Sequence, residues 1–160
     1  AVVSSTRRTP PFCLPPMVKS LNYQNNILAK IEAIHAKADD AIMLDWRGYI
    51  CEGTGDNIFI VKERALITPP LYAGILPGIT RQTIIEIAKR LGMEVLERDI
   101  TVHELYNADE AFLAATGIEI QPLMDVDGRK VGTGEPGPVV MKIKEEFKKE
   151  TQTTGTPIYE

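Results

Sequence analysis

A chain of 160 residues, 44% hydrophobic and 25% charged, has enough apolar material for one domain with a real core. A net charge of −4 argues against nucleic acid as the main partner, and no apolar run reaches the length of a membrane-spanning helix. The two cysteines, Cys13 and Cys51, have neither a CxxC nor a zinc spacing; each reads as a small buried hydrophobe, with reduced, cytoplasmic conditions as the default.

Residues 2–8 read as a strand. The loop TPPFCLPP follows, and its prolines exclude regular structure. Residues 20–37 have a helical period, with Leu21, Leu28, Ile31 and Ile34 on one stripe. Residues 41–45 read as a buried strand, Trp46-Arg47-Gly48 as a turn, and residues 49–52 as a returning strand. Residues 57–61 and 65–68 form the next hairpin. Residues 80–91 form a helix closed by Gly92, and residues 93–100 a strand. Thr101 and Glu104 have the spacing of a capping box at the head of a short helix. Residues 111–115 and 120–126 read as strands, with Asp127-Gly128 as a hairpin turn. After a Gly/Pro loop, residues 139–150 form an amphipathic helix, and the tail TQTTGTPIYE reads as polar and loose. This mixture of strands and helices places the chain in the α/β class.

The stretch from Glu52 to Arg81 concentrates the polar signals. A carboxylate precedes the glycine pair of EGTGDN, a short apolar strand follows, and a Pro/Gly loop ends on Gly78-Ile79-Thr80 at the start of a helix. First-turn N–H groups point outward, and the helix dipole adds partial positive charge, so that start can receive an anion. A carboxylate at one end and an anion cradle at the other point to a ligand with a cationic and an anionic end. On local pattern alone, Lys19 reads as a solvated lysine, Glu52 as an exposed strand end, and Gly78-Ile79-Thr80 as an ordinary cap. His35 and His103 have no partner at metal-ligand spacing, and EGTGDN lacks the Gly-Lys-Ser/Thr of a phosphate-binding P-loop.

Residues Glu52, Asn57, Phe59, Thr68, Leu76, Gly78, Ile79 and Arg81 resemble the signature of the class IV aminotransferases, pyridoxal-phosphate enzymes that include the branched-chain amino acid aminotransferases. Lys19-Ser20-Leu21-Asn22-Tyr23 resembles the segment with the family's Schiff-base lysine, and Thr116-Gly117-Ile118-Glu119-Ile120 is a third match in the same order. The resemblance implies a mixed curved sheet or pseudobarrel flanked by helices. It implies pyridoxal 5'-phosphate as cofactor. Lys19 is then the catalytic amine, which must be neutral to attack a carbonyl, a state that burial or a nearby cation favours. Glu52 is the partner of the pyridine nitrogen, because a carboxylate there keeps the ring cationic. Tyr23 meets the ring hydroxyl, and Gly78, Ile79, Thr80 and Thr116 hold the phosphate. Thr116 and Gly117 meet the substrate carboxylate, while Asn57 braces the Gly loop.

The implied reaction moves an amino group from L-leucine, L-isoleucine or L-valine to 2-oxoglutarate. Tyr23 after Asn22 favours the branched-chain group over the D-amino acid aminotransferases and the aminodeoxychorismate lyases, which share Lys19, Glu52 and the phosphate cup. A non-catalytic binding or dimerisation domain is the alternative of another class. Residues 1–160 are expected to be the larger C-terminal domain of such an enzyme, whose N-terminal domain contributes an arginine to the phosphate. By itself this domain is expected to bind cofactor weakly and to form dimers or larger species.

Overall fold

The computed structural model describes residues 1–155. Its centre is a mixed five-stranded sheet in the order β5-β4-β3-β6-β7, built from β3 (Asn57–Lys62), β4 (Ala65–Thr68), β5 (Val95–Glu97), β6 (Glu110–Ala115) and β7 (Glu119–Pro122). Strands β3 and β4 form a hairpin whose two-residue loop, Glu63-Arg64, has positive φ at both positions (50° and 69°). That backbone matches the twist of the flanking strands, though neither residue is a glycine. Asp109 compensates by accepting the Glu63 N–H at 2.8 Å and the Lys62 ammonium at 3.1 Å. Helix α2 (Ile79–Arg90) carries the chain from β4 to its parallel neighbour β5, the connection that a parallel pair requires.

Alternation along the strands sorts the core into two layers. Phe59 and Val61 of β3, with Phe112 and Ala114 of β6, face α2 and the final helix α4 (Pro138–Thr153), where Ile84, Ile87, Ile143 and Phe147 cover them. Phe59 and Phe112 are register partners, and their rings stack at 4.9 Å. Ile58, Ile60, Ala111 and Leu113 face the other way, toward Ile42, Ile50, Ile100 and Leu105. Leu105 comes from α3 (Val102–Tyr106), which opens with the expected capping box between Thr101 and Glu104. The mixed sheet flanked by helices agrees with the expected fold class.

The N-terminal third joins this body through short strands. β1 (Val2–Val3) pairs in parallel with β2 (Ala41–Ile42), and between them runs α1 (Gln24–His35). Several expected strands are shorter than their apolar runs. Residues 49–52 pair back on residues 43–45 through backbone hydrogen bonds without forming a regular ladder. The run 120–126 divides into β7 and β8 (Asp125–Val126), which pairs with β9 (Arg129–Lys130) around Asp127-Gly128. Helix α4 extends to Thr153, so only the end of the tail expected to be loose lies outside the described residues.

The apolar stripe is the largest departure from the expected packing. Leu21 precedes α1 and is 99% exposed, while Leu28, Ile31 and Ile34 also face out. The face of α1 that packs on β2 carries Ala29 and Ala33 instead. Small residues let the helix approach β2 closely, and the large apolar side chains are left on the outer surface. Cys51 is buried as expected, whereas Cys13 is exposed on the proline loop.

Candidate active site

Three chain segments meet at one end of the sheet. Antiparallel pairing sets Asn57, at the start of β3, opposite Ala114, near the end of β6. The turn after β6, beginning at Thr116, therefore lies beside the start of β3 and the loop that leads into α2. The third segment, residues 8–26, crosses from β1 to α1. Together they enclose a cavity of about 330 Å³. Lys19, Tyr23, Glu52, Gly78, Ile79, Thr80 and Thr116 all line it. Gly117 does not; it sits outside the wall in the exposed turn after Thr116.

Glu52 is 4% exposed, not the exposed strand end that its local pattern allows. One carboxylate oxygen accepts the Arg8 Nε–H at 2.7 Å, and the other accepts the Leu76 N–H at 2.9 Å. Burial raises the Glu52 pKa, while Arg8, the Leu76 N–H and the charge of Lys19 oppose that rise. Asn57 donates to the Leu76 carbonyl at 3.0 Å and so braces the loop before α2.

At the far end, Gly78 is the N-cap of α2 and supplies no side chain there. The N–H groups of the first turn are thus left open at the cavity, next to the buried Thr80 and the exposed Thr116. Gly78 is needed for space, since a Cβ there would lie 2.3 Å from Asn57 Oδ1. Gly78→Ala is expected to push Asn57 off Leu76, destabilise the chain by about 1–3 kcal/mol, and weaken anion binding at α2. Urea unfolding and a phosphate titration would measure both; unchanged values would remove the requirement for glycine.

Lys19 stands on the rim, exposed, in a left-handed backbone conformation (φ 48°, ψ 45°). Its carbonyl-side neighbours lead through an irregular turn to Tyr23, the N-cap residue of α1, 43% exposed at the cavity mouth. A non-glycine residue in this conformation costs about 1–2 kcal/mol, and such strain clusters where function demands it.

Sequence reasoning passed over four polar residues of this site. Arg8 was expected only as the end of a strand, and Asn26 as part of the helical stretch that follows the lysine segment of the family resemblance, with no role of its own. In the fold, Arg8 also donates to Asn26 Oδ1 at 3.0 Å, and Asn26 donates to the Thr54 carbonyl at 2.8 Å. Asp40 and Asp56 flank the glycine turn. A Cβ on Gly53 would fall 1.9 Å from Asp56 Oδ1 and 2.8 Å from Asp40 Oδ2. Asp40 accepts from the Thr54 hydroxyl, the Thr54 N–H and Lys30. Burial, reinforced by the charge of Asp40, pushes the Asp56 carboxyl up to about 8. The available signal was chemical and general: a buried glutamate needs a cation, but the tandem Arg7-Arg8 does not say which cation that is or where it pairs.

The α/β domain thus places a buried carboxylate, an open helix start and a rim lysine around one cavity, groups whose charges are complementary to a ligand with an anionic and a cationic end. The family model for amino-transferase class IV matches residues 1–125, and the chain belongs to that family. It is 48% identical over all 160 residues to a putative branched-chain-amino-acid aminotransferase of Methanocaldococcus jannaschii, of which it spans 56%. Among solved structures it is similar to the branched-chain aminotransferase of Thermoproteus uzoniensis with norvaline. That match has a TM-score of 0.89 and 46% identity, over 92% of this chain and 49% of the other. It is also similar to the branched-chain amino acid aminotransferase of Thermobaculum terrenum in its PLP form. Here the TM-score is 0.90 and the identity 41%, over 94% of this chain and 49% of the other. The chain thus spans about half the length of the relatives it matches.

Proposed function

We propose that residues 1–160 form the cofactor-binding domain of a branched-chain amino acid aminotransferase. The reaction is reversible transfer of an amino group from L-leucine, L-isoleucine or L-valine to 2-oxoglutarate. The observation that carries this reading is the single cavity that combines an exposed amine, a buried carboxylate and an open helix start.

That donor set fits pyridoxal 5'-phosphate. The N–H groups at Ile79 and Thr80, with the hydroxyls of Thr80 and Thr116, suit a phosphate. The buried Glu52 suits a protonated ring nitrogen, and Tyr23 at the mouth suits the ring hydroxyl. When bound, the cofactor supplies an aldehyde for the amino group and a ring that takes up electrons. Lys19 would be the residue that holds the cofactor and moves a proton to and from the substrate carbon. Glu52 holds the positive charge on the ring. Thr116 would orient the substrate carboxylate; Gly117 does not line the cavity and is given no contact there.

We also read the protein as a cytoplasmic homo-oligomer. No described helix is long and apolar enough to cross a membrane, and both cysteines are free, which fits a reducing compartment. The outward Leu28, Ile31 and Ile34 of α1 support self-association.

Borohydride reduction with pyridoxal phosphate, followed by peptide mapping, is expected to label Lys19. A label on Lys30 or Lys37 instead would overturn the site. In a donor panel with the full-length protein, L-leucine, L-isoleucine and L-valine are expected to exceed D-alanine. A D-alanine preference would move the protein to the D-amino acid group.

A further inference from the structure

A buried carboxylate that must stay ionised needs a cation of its own, and the domain provides one far away in sequence. Arg8 and Glu52 are separated by 44 positions, yet Nε and Oε1 lie 2.7 Å apart with both side chains largely buried. The guanidinium is held from a second side. Its Nη1 donates to Asn26 Oδ1 at 3.0 Å, and Asn26 is itself tied to the Thr54 carbonyl at 2.8 Å. Arg8 is thus fixed by a carboxylate from the glycine turn and an amide from α1, and it lines the same cavity.

We propose that Arg8 is a positioning residue: its guanidinium keeps Glu52 ionised and turned into the cavity, and Asn26 holds the guanidinium in place. The consequence for the cofactor rests on the function proposed above; the link between Arg8 and Glu52 does not. Two alternatives are physically distinct. Arg8 could touch the bound ligand directly, or it could serve packing alone. Only the positioning role requires that the effect of Arg8 pass through Glu52.

The groups facing Glu52 are few. Arg8 and the Leu76 N–H bond to it directly, the Asn57 amide donates to it at 3.5 Å, Lys19 acts at longer range, and Cys51 and Asp56 feel its charge. Arg8 is the one cation hydrogen-bonded to Glu52 among the described residues. Removing it leaves burial opposed by the Leu76 N–H, the long Asn57 contact and a distant lysine. The loss of a directly paired cation raises a carboxyl pKa by about 1–3 units, so the Glu52 carboxyl would shift toward its protonated form.

The test follows the Glu52 carboxyl by carbon-13 NMR in the full chain without cofactor, its resonance identified by its absence in Glu52→Gln. The ionisation midpoint is expected to rise by about 1–3 pH units in Arg8→Gln and to return most of the way in Arg8→Lys. Pyridoxal phosphate affinity at pH 7, measured by absorbance titration, is expected to fall about tenfold in Arg8→Gln. In the Glu52→Gln background the same change should alter affinity less than about threefold. An unmoved midpoint overturns the proposal. Equal affinity losses in both backgrounds also overturn it, and point to direct ligand contact or packing. Should Arg8→Gln fail to fold, Asn26→Ala keeps the charge but frees the guanidinium. It should raise the midpoint by about half a unit or more, and no movement there is equally decisive against the proposal. A wild-type chain that binds no pyridoxal phosphate would sink the functional reading, while the carboxyl titration would still decide the role of Arg8.

Discussion

Replacing Lys19 with glycine is expected to remove transamination while making the domain more stable. The activity side follows from chemistry. Lys19 is the exposed amine on the cavity rim, and glycine leaves nothing there to attach to the cofactor or to move the proton. The loss of a positioned acid–base group alone costs about 10²–10⁴-fold, and loss of the covalent link adds to it. The stability side follows from the backbone. Lys19 has φ 48°, where a Cβ is unfavourable and glycine is at ease. Relief of that strain should stabilise the domain by about 1 kcal/mol. Lys19→Ala shares the chemical defect but keeps the Cβ, so it should lose activity without the gain. Urea midpoints for the three proteins, with turnover in the aminotransferase whose cofactor-binding domain this chain is proposed to form, would test both halves. A glycine variant no more stable than the alanine variant would show that the left-handed turn carries no strain. Retained turnover would remove Lys19 from the chemistry.

What could be read from the sequence was local. The helix start at Gly78, the capping box at Thr101, the Asp127-Gly128 turn and the hairpin of β3 and β4 all depend on residues within a few positions of each other. Each stands where its pattern placed it. The cavity residues Glu52, Gly78, Ile79, Thr80 and Thr116 were also found, because they belong to motifs with fixed spacing. What could not be read was pairing over distance. Nothing near Arg8 indicates that it will meet Glu52, and nothing near Asp40 indicates that it will meet the turn at Gly53. The stripe of α1 failed for a related reason. Periodicity shows that a helix has an apolar face but not which surface that face meets, and here the alanines packed inward while the large residues stayed outside. Strand ends were misplaced where an apolar run continued past the last paired residue, as in residues 120–126.

The carboxyl groups beneath the cavity lead to the second large expected effect, a pH-dependent gain in stability on changing Asp56 to asparagine. Three carboxyl groups converge on the glycine turn, and the fold compensates two of them. Arg8 pairs with Glu52, and Lys30 pairs with Asp40 at 3.0 Å. Asp56 Oδ1 has no hydrogen-bond partner, and its surroundings are burial, then the charge of Asp40, then that of Glu52, with Lys30 opposing more weakly. The proton therefore goes to Asp56, whose pKa is pushed from 3.8 to about 8. Because the folded value is above the unfolded one, the favourable contribution of the neutral acid is full below pH 3.8 and is lost as pH rises to about 8. Asparagine has nearly the same shape and no charge to desolvate. Asp56→Asn should thus nearly match the parent near pH 4 and exceed it by roughly 4 kcal/mol at pH 7. The same neutrality serves the cavity, because it leaves Glu52 as the negative charge available to a cationic ring. Asp56→Asn should for that reason keep its affinity for pyridoxal phosphate at pH 7, while the parent should lose affinity above pH 8 as Asp56 ionises beside Glu52. Urea unfolding across pH 4 to 8.5, with cofactor titrations at the same pH values, would measure both. Parallel stability curves for parent and variant would place the ionisation elsewhere.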